Sequence, residues 1–353
     1  LDMEITVEKC PSNADNRQAK ISTILASGDK NIDLISVNDE MISEFKHKGY
    51  LEPLEKNVMT EEVRDSFPQK YLESICEENG HIYSVPFQMD IMMFWVNQEL
   101  LKQAGLDEIK NTGDFDILQK SLKNPDQYAY GDAWENTHVY NSLSQFVNFW
   151  GGDYFDWTDP KTKDAARYMK SMLDEKNTSP AQFVDQYEQM EEKFIRGKYG
   201  CVFMYTSALG TFLDADVYGK NKIHMAPLPV LHKKKATNIA TWQYVLNNAS
   251  ENKDAAVRFL QYAAGYEGST EYAKIMKSYP ARVDVIENED IDLEGIDMIR
   301  KYLREYTLNA RPLCENSMGA VSDMGKLFQG YVLGQCEEDS FFEQAQNCIN
   351  TYY

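Results

Sequence analysis

The sequence predicts an α/β protein of two lobes, with a helical C-terminal region and a ligand cleft between the lobes. Three observations predict it. First, 353 residues are too many for one ordinary hydrophobic core. Second, strand-like and helix-like periodicities alternate through two-thirds of the chain, and only helical spacing follows from about Leu293. Third, Tyr83–Leu106 reads as strand, short connection, strand and helix. Its second strand, Ile91–Val96, is a continuous apolar run, as a strand buried on both faces should be. The connection holds Phe87, Gln88, Met89 and Asp90, where a plain turn favours Gly, Asn or Pro. We read it as a crossing between lobes, with Gln88 and Asp90 turned towards the cleft.

The elements follow in order. Met3, Ile5 and Val7 alternate with polar residues, which predicts a half-buried strand. Asp15–Ala26 has helical spacing, closed by Gly28, and Ile32–Val37 is the next strand, so a parallel βαβ unit is expected. Helices are predicted near Glu40–Lys48 and Thr60–Glu78. Asn97 caps the helix after the central stretch and Gly105 ends it. The stretch from Asn111 to Trp134 reads as irregular, Asn141–Trp150 as helix broken by Gly151-Gly152, and Pro160 opens a helix to about Lys176. A helix over Asp185–Arg196 precedes strands at Tyr199–Tyr205, Ile223–Ala226 and Thr241–Leu246. Helices at Asn252–Ala264 and Ser269–Lys277 come next, and the C-terminal helices break near Arg311-Pro312 and Gly334. The crossings fall near 88, 246 and 290. Lobe one is then 1–88 with 246–289, and lobe two 89–245 with 290–353.

Composition narrows the function. Hydrophobic residues make up 43% and the net charge is −20, which describes a globular chain unsuited to nucleic acid or anionic membrane. No apolar run reaches the ~20 residues of a membrane span. The chain opens at Leu1 without Met, inside a strand-like segment, which suggests a removed leader. Six scattered cysteines form no CxxC and read as small core residues, with a Cys336–Cys348 pair left open. The basic run His232–Lys235 reads as a solvated loop. No nucleotide-binding, nucleophile-elbow or zinc motif occurs, so no catalytic residue, metal or cofactor is assigned. Asp290–Gly295 imitates the start of a calcium loop but ends on Lys301, a cation. What stands out is 22 Tyr, 16 Phe and 5 Trp. Sugar C–H faces pack on aromatic rings, while hydroxyls need amide, carboxylate and guanidinium partners, so a carbohydrate suits this composition.

Motifs through most of the chain resemble the extracellular solute-binding proteins (family 1) of carbohydrate ABC importers, the class that includes maltose-binding protein. The carriers are Gly49-Tyr-Leu-Glu-Pro-Leu54, Ile82-Tyr-Ser-Val-Pro86, Val96-Asn97 through Ala104-Gly105-Leu106, and Trp150-Gly-Gly152. Phe194-Ile-Arg-Gly-Lys198, Met225-Ala-Pro-Leu-Pro229, Ala255–Leu260, Tyr279-Pro-Ala-Arg282 and Gly330-x-x-x-Gly334 follow in the family's order. The chain departs from the pattern after Gly105, where the family's usual helix has little room, and near Ser207, where its aromatic is missing and Tyr205 stands in.

The resemblance implies the class II periplasmic-binding fold and a set of contacts. Asp90 aligns with a carboxylate that holds sugar hydroxyls, or else it caps or salt-bridges within the hinge. Tyr140 and Asn141 fall where the family places cleft contacts. Trp242 follows the lobe-crossing loop as a stacking platform, or is a core residue. Arg282 either bonds a hydroxyl or forms a structural salt bridge. Trp134 is proposed from its irregular segment alone, as a Trp exposed to the cleft, and Trp95 is assigned to the core. The implied protein is a monomeric, non-catalytic, lipid-anchored oligosaccharide carrier outside a Gram-positive cell. It closes about a hinge and delivers to a membrane permease. The rivals are the same fold binding a polyamine or other non-sugar solute, and a glycan-acting enzyme.

Overall fold

The computed structural model describes residues 3–11 and 14–353. The chain divides into two compact units. The first takes the chain up to Asp90, then Ala240–Ile296 and Leu313–Ser317; the second takes Ile91–Ile239, Asp297–Pro312 and Met318–Tyr353. The chain therefore changes unit at 90/91, 239/240 and 296/297, and the short return at Leu313–Ser317 had no signal in the sequence.

In the first unit, Leu34–Asn38 runs antiparallel to the Ala236–Leu246 strand, in register from Leu34↔Leu246 to Asn38↔Trp242. The expected parallel βαβ unit is not formed. Residues 3–11 carry no regular structure, and Ile5 and Val7 are 57% and 81% exposed. Alternation makes a strand only where a partner supplies the ladder, and Leu34–Asn38 takes its partner from far along the chain. The start of the chain at Leu1 lies outside the described residues. The helix Asp39–His47 follows the strand at once and buries Met41, Ile42 and Phe45. The single helix expected over Thr60–Glu78 is instead Glu61–Arg64, Gln69–Tyr71 and a π-turn at Leu72–Cys76. Pro68 has no N–H to continue the first turn, so the helix stops there. Phe67, Tyr71 and Ile75 still point inward.

A buried polar network lies behind this sheet. The Tyr71 hydroxyl accepts from Thr241 at 2.8 Å and Gln243 at 3.0 Å, and donates to Asp39 at 3.1 Å. Ser84 donates to the Gln243 side-chain oxygen at 2.5 Å. Strand side chains alternate, so holding Thr241 and Gln243 on this face turns Trp242 and Tyr244 to the other.

Ser84–Asn97 is one continuous strand of 14 residues, of which the second unit takes Ile91–Asn97. The connection expected at Phe87–Asp90 does not exist. These residues hold no Gly, Asn or Pro, and their backbone pairs with Tyr279–Ala281: Met89 N–H donates to Tyr279 O at 2.9 Å and Ala281 N–H to Phe87 O at 3.1 Å. Within the second unit the strand pairs antiparallel with Tyr199–Tyr205 on one edge and Ile223–Ala226 on the other, and Tyr128–Gly131 adds parallel to Tyr199–Tyr205. Trp95 lies wholly in the core and donates its indole N–H to Met204. Thr307–Ala310 pairs in parallel with Ala236–Ile239, so the C-terminal region is not helical throughout.

The stretch from Asn111 to Trp134 is also not irregular. It holds a helix, Thr112–Ser121, and the strand Tyr128–Gly131. Asn111 accepts from Gly113 N–H, and Asp114 accepts from Asn111 N–H, a reciprocal cap that lets a helix of 10 residues start without Pro or Ser. Phe115 and Leu118 anchor it.

The helix Val139–Trp150 ends at Gly151 in the left-handed region, φ 70°. Gln145 pins it to the neighbouring strand by donating to Ala236 O at 2.9 Å and accepting from Thr237 at 3.1 Å and Asn238 N–H at 2.9 Å. The C-terminal helix Ser317–Val332 covers the loop before Val139. Gln329 donates to Trp134 O, Asn136 donates to Ser322, and Gly325 approaches Asn136 O so closely that an added Cβ would lie 1.9 Å away. Gly325→Ala should therefore destabilise the protein by about 1–3 kcal/mol through overpacking. A fall in the urea midpoint measures it; an unchanged midpoint would mean the helix backs away freely. Asn111→Ala should cost about 1 kcal/mol by removing the cap, read in the same titration.

Candidate functional site

Each unit gathers aromatic, amide and guanidinium side chains at one place. In the first unit the place is set by Asn38, the last residue of its strand, and Trp242 directly opposite. Trp242 is half-buried, and the Arg17 guanidinium carbon, from the helix Ala14–Ala26, sits 5.3 Å from its ring centroid. That is within cation–π range. The Asn38 amide donates to Glu40 at 2.9 Å, while its side-chain oxygen is buried and accepts from no donor among the described residues.

The other candidates in this unit are placed as follows. Gln88 accepts from the Tyr272 hydroxyl at 2.8 Å. Beside it Phe87 stacks on Tyr244, with centroids 4.2 Å apart, and meets Tyr272 edge-on. Asp90 is buried, where the unit's part of the long strand ends. Arg282 makes the structural salt bridge, one of the two alternatives open from sequence. It donates to both Asp284 carboxylate oxygens at 3.0 and 2.6 Å, to Ala264 O at 2.8 Å and to Ser66 at 2.8 Å.

In the second unit, Tyr140 and Asn141 open their helix, Tyr205 ends its strand, and Arg311 follows Thr307–Ala310 immediately before Pro312. These four residues meet. Arg311 donates to the Tyr140 hydroxyl at 2.7 Å, and its guanidinium carbon lies 6.0 and 5.8 Å from the Tyr140 and Tyr205 centroids. The Tyr205 hydroxyl donates to the Asn141 side-chain oxygen at 2.9 Å, and the Tyr205 N–H donates to the Tyr187 hydroxyl at 2.7 Å. A cavity of about 20 Å³ lies among Asn141, Tyr187, Tyr205 and His138, room for about one water.

Asp132 supports this corner from beneath. Its buried carboxylate accepts from Tyr130, Trp134, Ser142 and Ala133 N–H at 2.5–2.8 Å. Burial raises its pKa, and those donors only partly offset the effect. Nearby Glu135 is held below the usual carboxylate range: burial pushes it up, and bonds from Thr137 and His138 outweigh that. Trp134 does not face a cleft. Its indole is 0% exposed, donates to Asp132 at 2.8 Å and meets Phe183 and Phe328 edge-on. The loop that carries it is covered by the C-terminal helix, which the sequence placed without saying what it covers.

Sequence reasoning did not assign Arg17, Asn38, Tyr187 or Arg311. Arg311-Pro312 was visible as a helix break, and Asn38 fell between the expected strand Ile32–Val37 and the helix near Glu40–Lys48, just past a strand end, where open α/β sheets bind ligands. A larger groove of about 460 Å³ between Ser317–Val332 and Glu338–Tyr352 lies apart from every predicted residue, and its Asp323 is tied to Lys326 and Tyr352. All six cysteines are free thiols, so Cys336 and Cys348 do not pair. Among the described residues no group of His, Cys, Asp and Glu is arranged to hold a metal, and no helix is long and apolar enough to cross a membrane.

Comparison with known proteins places this architecture. The chain is 24% identical over 239 residues to a probable amino-acid ABC transporter periplasmic-binding protein of Sinorhizobium fredii, covering 64% of this chain and 54% of that protein. It is 22% identical over 286 residues to the arabinooligosaccharide-binding protein of Bacillus subtilis, covering 77% and 65%. The matches thus span between half and two-thirds of those relatives' lengths. The crystal structure of an ABC transporter solute-binding protein from Thermotoga lettingae, bound to α-D-tagatose, superposes with a TM-score of 0.82 at 18% identity, over 96% of this chain and 89% of that one. The fold is therefore that of the two-lobe solute-binding proteins. The family profile described as bacterial extracellular solute-binding protein matches residues 5–270, well over half of the chain, and the chain belongs to that family.

Proposed function

We propose that the protein binds a carbohydrate, an oligosaccharide by preference, and delivers it to the permease of an ABC importer without chemical change. The observation that carries this reading is a pattern repeated in both units. An arginine is stacked over aromatic rings beside an asparagine amide: Arg17, Trp242 and Asn38 in one, and Arg311, Tyr140, Tyr205 and Asn141 in the other. Rings take the apolar face of a sugar, while amide and guanidinium take its hydroxyls. Asp90 and Gln88 join the ligand set, and the two units close over the sugar about the strands that run between them. Two relatives support a sugar, one named for arabino-oligosaccharides and another crystallised with tagatose, while a third, named a probable amino-acid transporter protein, supports the rival solute class.

By the same reading the protein acts as a monomer outside a bacterial cell, tethered by a lipid. The family's description as extracellular supports the location. Protease digestion of intact cells checks it, since resistance without permeabilisation would count against an external site. Detergent-phase partitioning of the full-length product checks the anchor, and recovery in the aqueous phase would count against it.

A thermal-shift screen against mono- and oligosaccharides, polyols, amino acids and polyamines tests the ligand class. A ligand at 100 times its Kd should add about 2.7 kcal/mol of stability. The expected result is a shift with an oligosaccharide series that Trp242→Ala abolishes; a shift with amino acids or polyamines alone would replace the carbohydrate reading. With the ligand that shifts the melt, small-angle scattering should show a smaller radius of gyration. An unchanged radius at saturation would sink closure.

A further inference from the structure

The second unit carries a cationic loop on an acidic protein. His232, Lys233, Lys234 and Lys235 are all exposed, and Lys233–Lys235 is the longest cationic run in a chain of net charge −20. Elsewhere lysines find carboxylates: Lys20, Lys30, Lys48, Lys110 and Lys253 each hold one at 2.6–3.0 Å. Lys233, Lys234 and Lys235 form no ion pair with any described residue. The loop is nonetheless well held. Lys233 N–H and Lys234 N–H both donate to Phe149 O at 3.1 Å, so it sits on the C-terminal end of Val139–Trp150. Val230 N–H donates to Lys110 O at 2.8 Å, and Lys235 O accepts from Thr307 N–H at 3.1 Å. The His232 ring lies flat on Trp150, with centroids 5.0 Å apart and planes 4° apart. The helix dipole draws a cation to that end, but the Lys235 ammonium lies instead over Tyr306, 5.5 Å from its centroid. Three like charges are thus held side by side with no counter-charge from the fold.

We propose that Lys233, Lys234 and Lys235 form a docking surface for an acidic segment of the importer's permease, a short stretch rich in Asp and Glu. The inference rests on the delivery reading above and names the surface that delivery uses. Two observations select protein carboxylates among anions. A compact phosphate is gripped by free backbone N–H groups or a helix N-terminus. Here the Lys233 and Lys234 N–H groups are spent on Phe149 O, and the helix presents its carbonyl end. A flat anionic membrane would meet the acidic surface around the loop as well as the lysines, within a Debye length of about 8 Å. A narrow acidic segment meets the lysine tips alone. Because the loop is already pinned by its backbone and by stacking on Trp150 and Tyr306, little ordering remains to oppose association. Such a pairing steers encounter and fixes register rather than storing much affinity.

The test places a photo-reactive residue beside the lysines, as Val230→p-benzoylphenylalanine, because Val230 is 44% exposed and its replacement leaves all three charges intact. The full-length protein is irradiated in the living cells that make it, and the attached peptide is identified by mass mapping. The expected product joins the loop to an Asp- and Glu-rich stretch of an ABC permease subunit. Adding Lys233→Glu and Lys235→Glu should lower its yield about tenfold, and Lys233→Arg with Lys235→Arg should preserve it. Attachment to lipid would overturn the proposal in favour of a membrane contact. Attachment to a second copy of this chain, to a segment without acidic residues or to nothing would overturn it as well, as would a yield indifferent to charge reversal. Saccharide uptake separates this surface from the reading it rests on. The Glu variant should melt as wild type does and bind the saccharide found by thermal shift with unchanged Kd, while uptake falls about tenfold. If cells with the wild-type protein import no saccharide, the delivery reading fails and the permease assignment with it. If wild type and the Glu variant import equally, the docking surface fails alone.

Discussion

The constraint on which both aromatic clusters depend is the two-residue period of a β-strand. In Ala236–Leu246 one set of side chains is tied down: Thr241 and Gln243 enter the polar network around Tyr71, which is closed by Asp39 and Ser84. The alternate set then has no choice of direction, and Trp242 and Tyr244 stand on the opposite face. A register slip of one residue would bury Trp242 and expose Gln243, leaving the Tyr71 hydroxyl without its donors. The network is costly to leave half-made, so it acts as a register lock for the platform in front of it. The same strand, nearer its start, offers Thr237 and Asn238 to Gln145 and so fixes the helix that begins with Tyr140 and Asn141.

Preorganisation in the second unit works by a different device. Tyr205, Asn141 and Arg311 come from three elements remote in sequence, and each is held by a neighbour that has no freedom to leave. Tyr187 takes the Tyr205 backbone N–H, Arg311 spans two phenol rings, and Asp132 gathers four donors under the loop. A carboxylate with that many donors stays buried although burial opposes its charge. Its reward is geometric: Trp134, Ala133 and Ser142 are set at once, and with them the start of the helix that carries Tyr140. Trp134 belongs to this foundation, so it shapes the corner without touching its surface.

Much of the frame was legible in the sequence because it is written locally. Tyr199–Tyr205 and Ile223–Ala226 are short, mainly apolar strands that follow Gly197 and precede Pro227 respectively, and Asn97, Pro160 and Gly151 punctuate their helices as expected. The failures share one cause, which is dependence on a partner distant in the chain. Met3–Val7 has the alternation of a strand and no ladder to join. Phe87–Asp90 holds no Gly, Asn or Pro and is strand, paired with Tyr279–Ala281 some two hundred residues later. The site divides the same way. Tyr140, Asn141, Tyr205 and Trp242 carried a motif nearby, whereas Arg17 and Arg311 have meaning only through the rings they cover. Asn38 is conspicuous only once its oxygen is seen to lack a donor among the described residues.

Charge sets the last condition on the site. A chain of net charge −20 repels anionic solutes at long range and attracts cations. Bulk charge alone would therefore favour a polyamine. The local arrangement points elsewhere, because both aromatic clusters already hold a cation against their rings. A polyamine would have to displace a guanidinium with a group of the same sign and the same preference for a π face, so little free energy is gained in the exchange. A neutral ring bearing hydroxyls faces the same guanidinium but gains more by packing there. It brings apolar surface that a guanidinium cannot match, together with donors and acceptors for the amides alongside. The short range of these contacts, within about 6 Å, lets them override the long-range field, which salt screens over a Debye length of about 8 Å. The acidic surface bears on solubility outside the clusters, and at the rings a second cation would have to replace a guanidinium already in place.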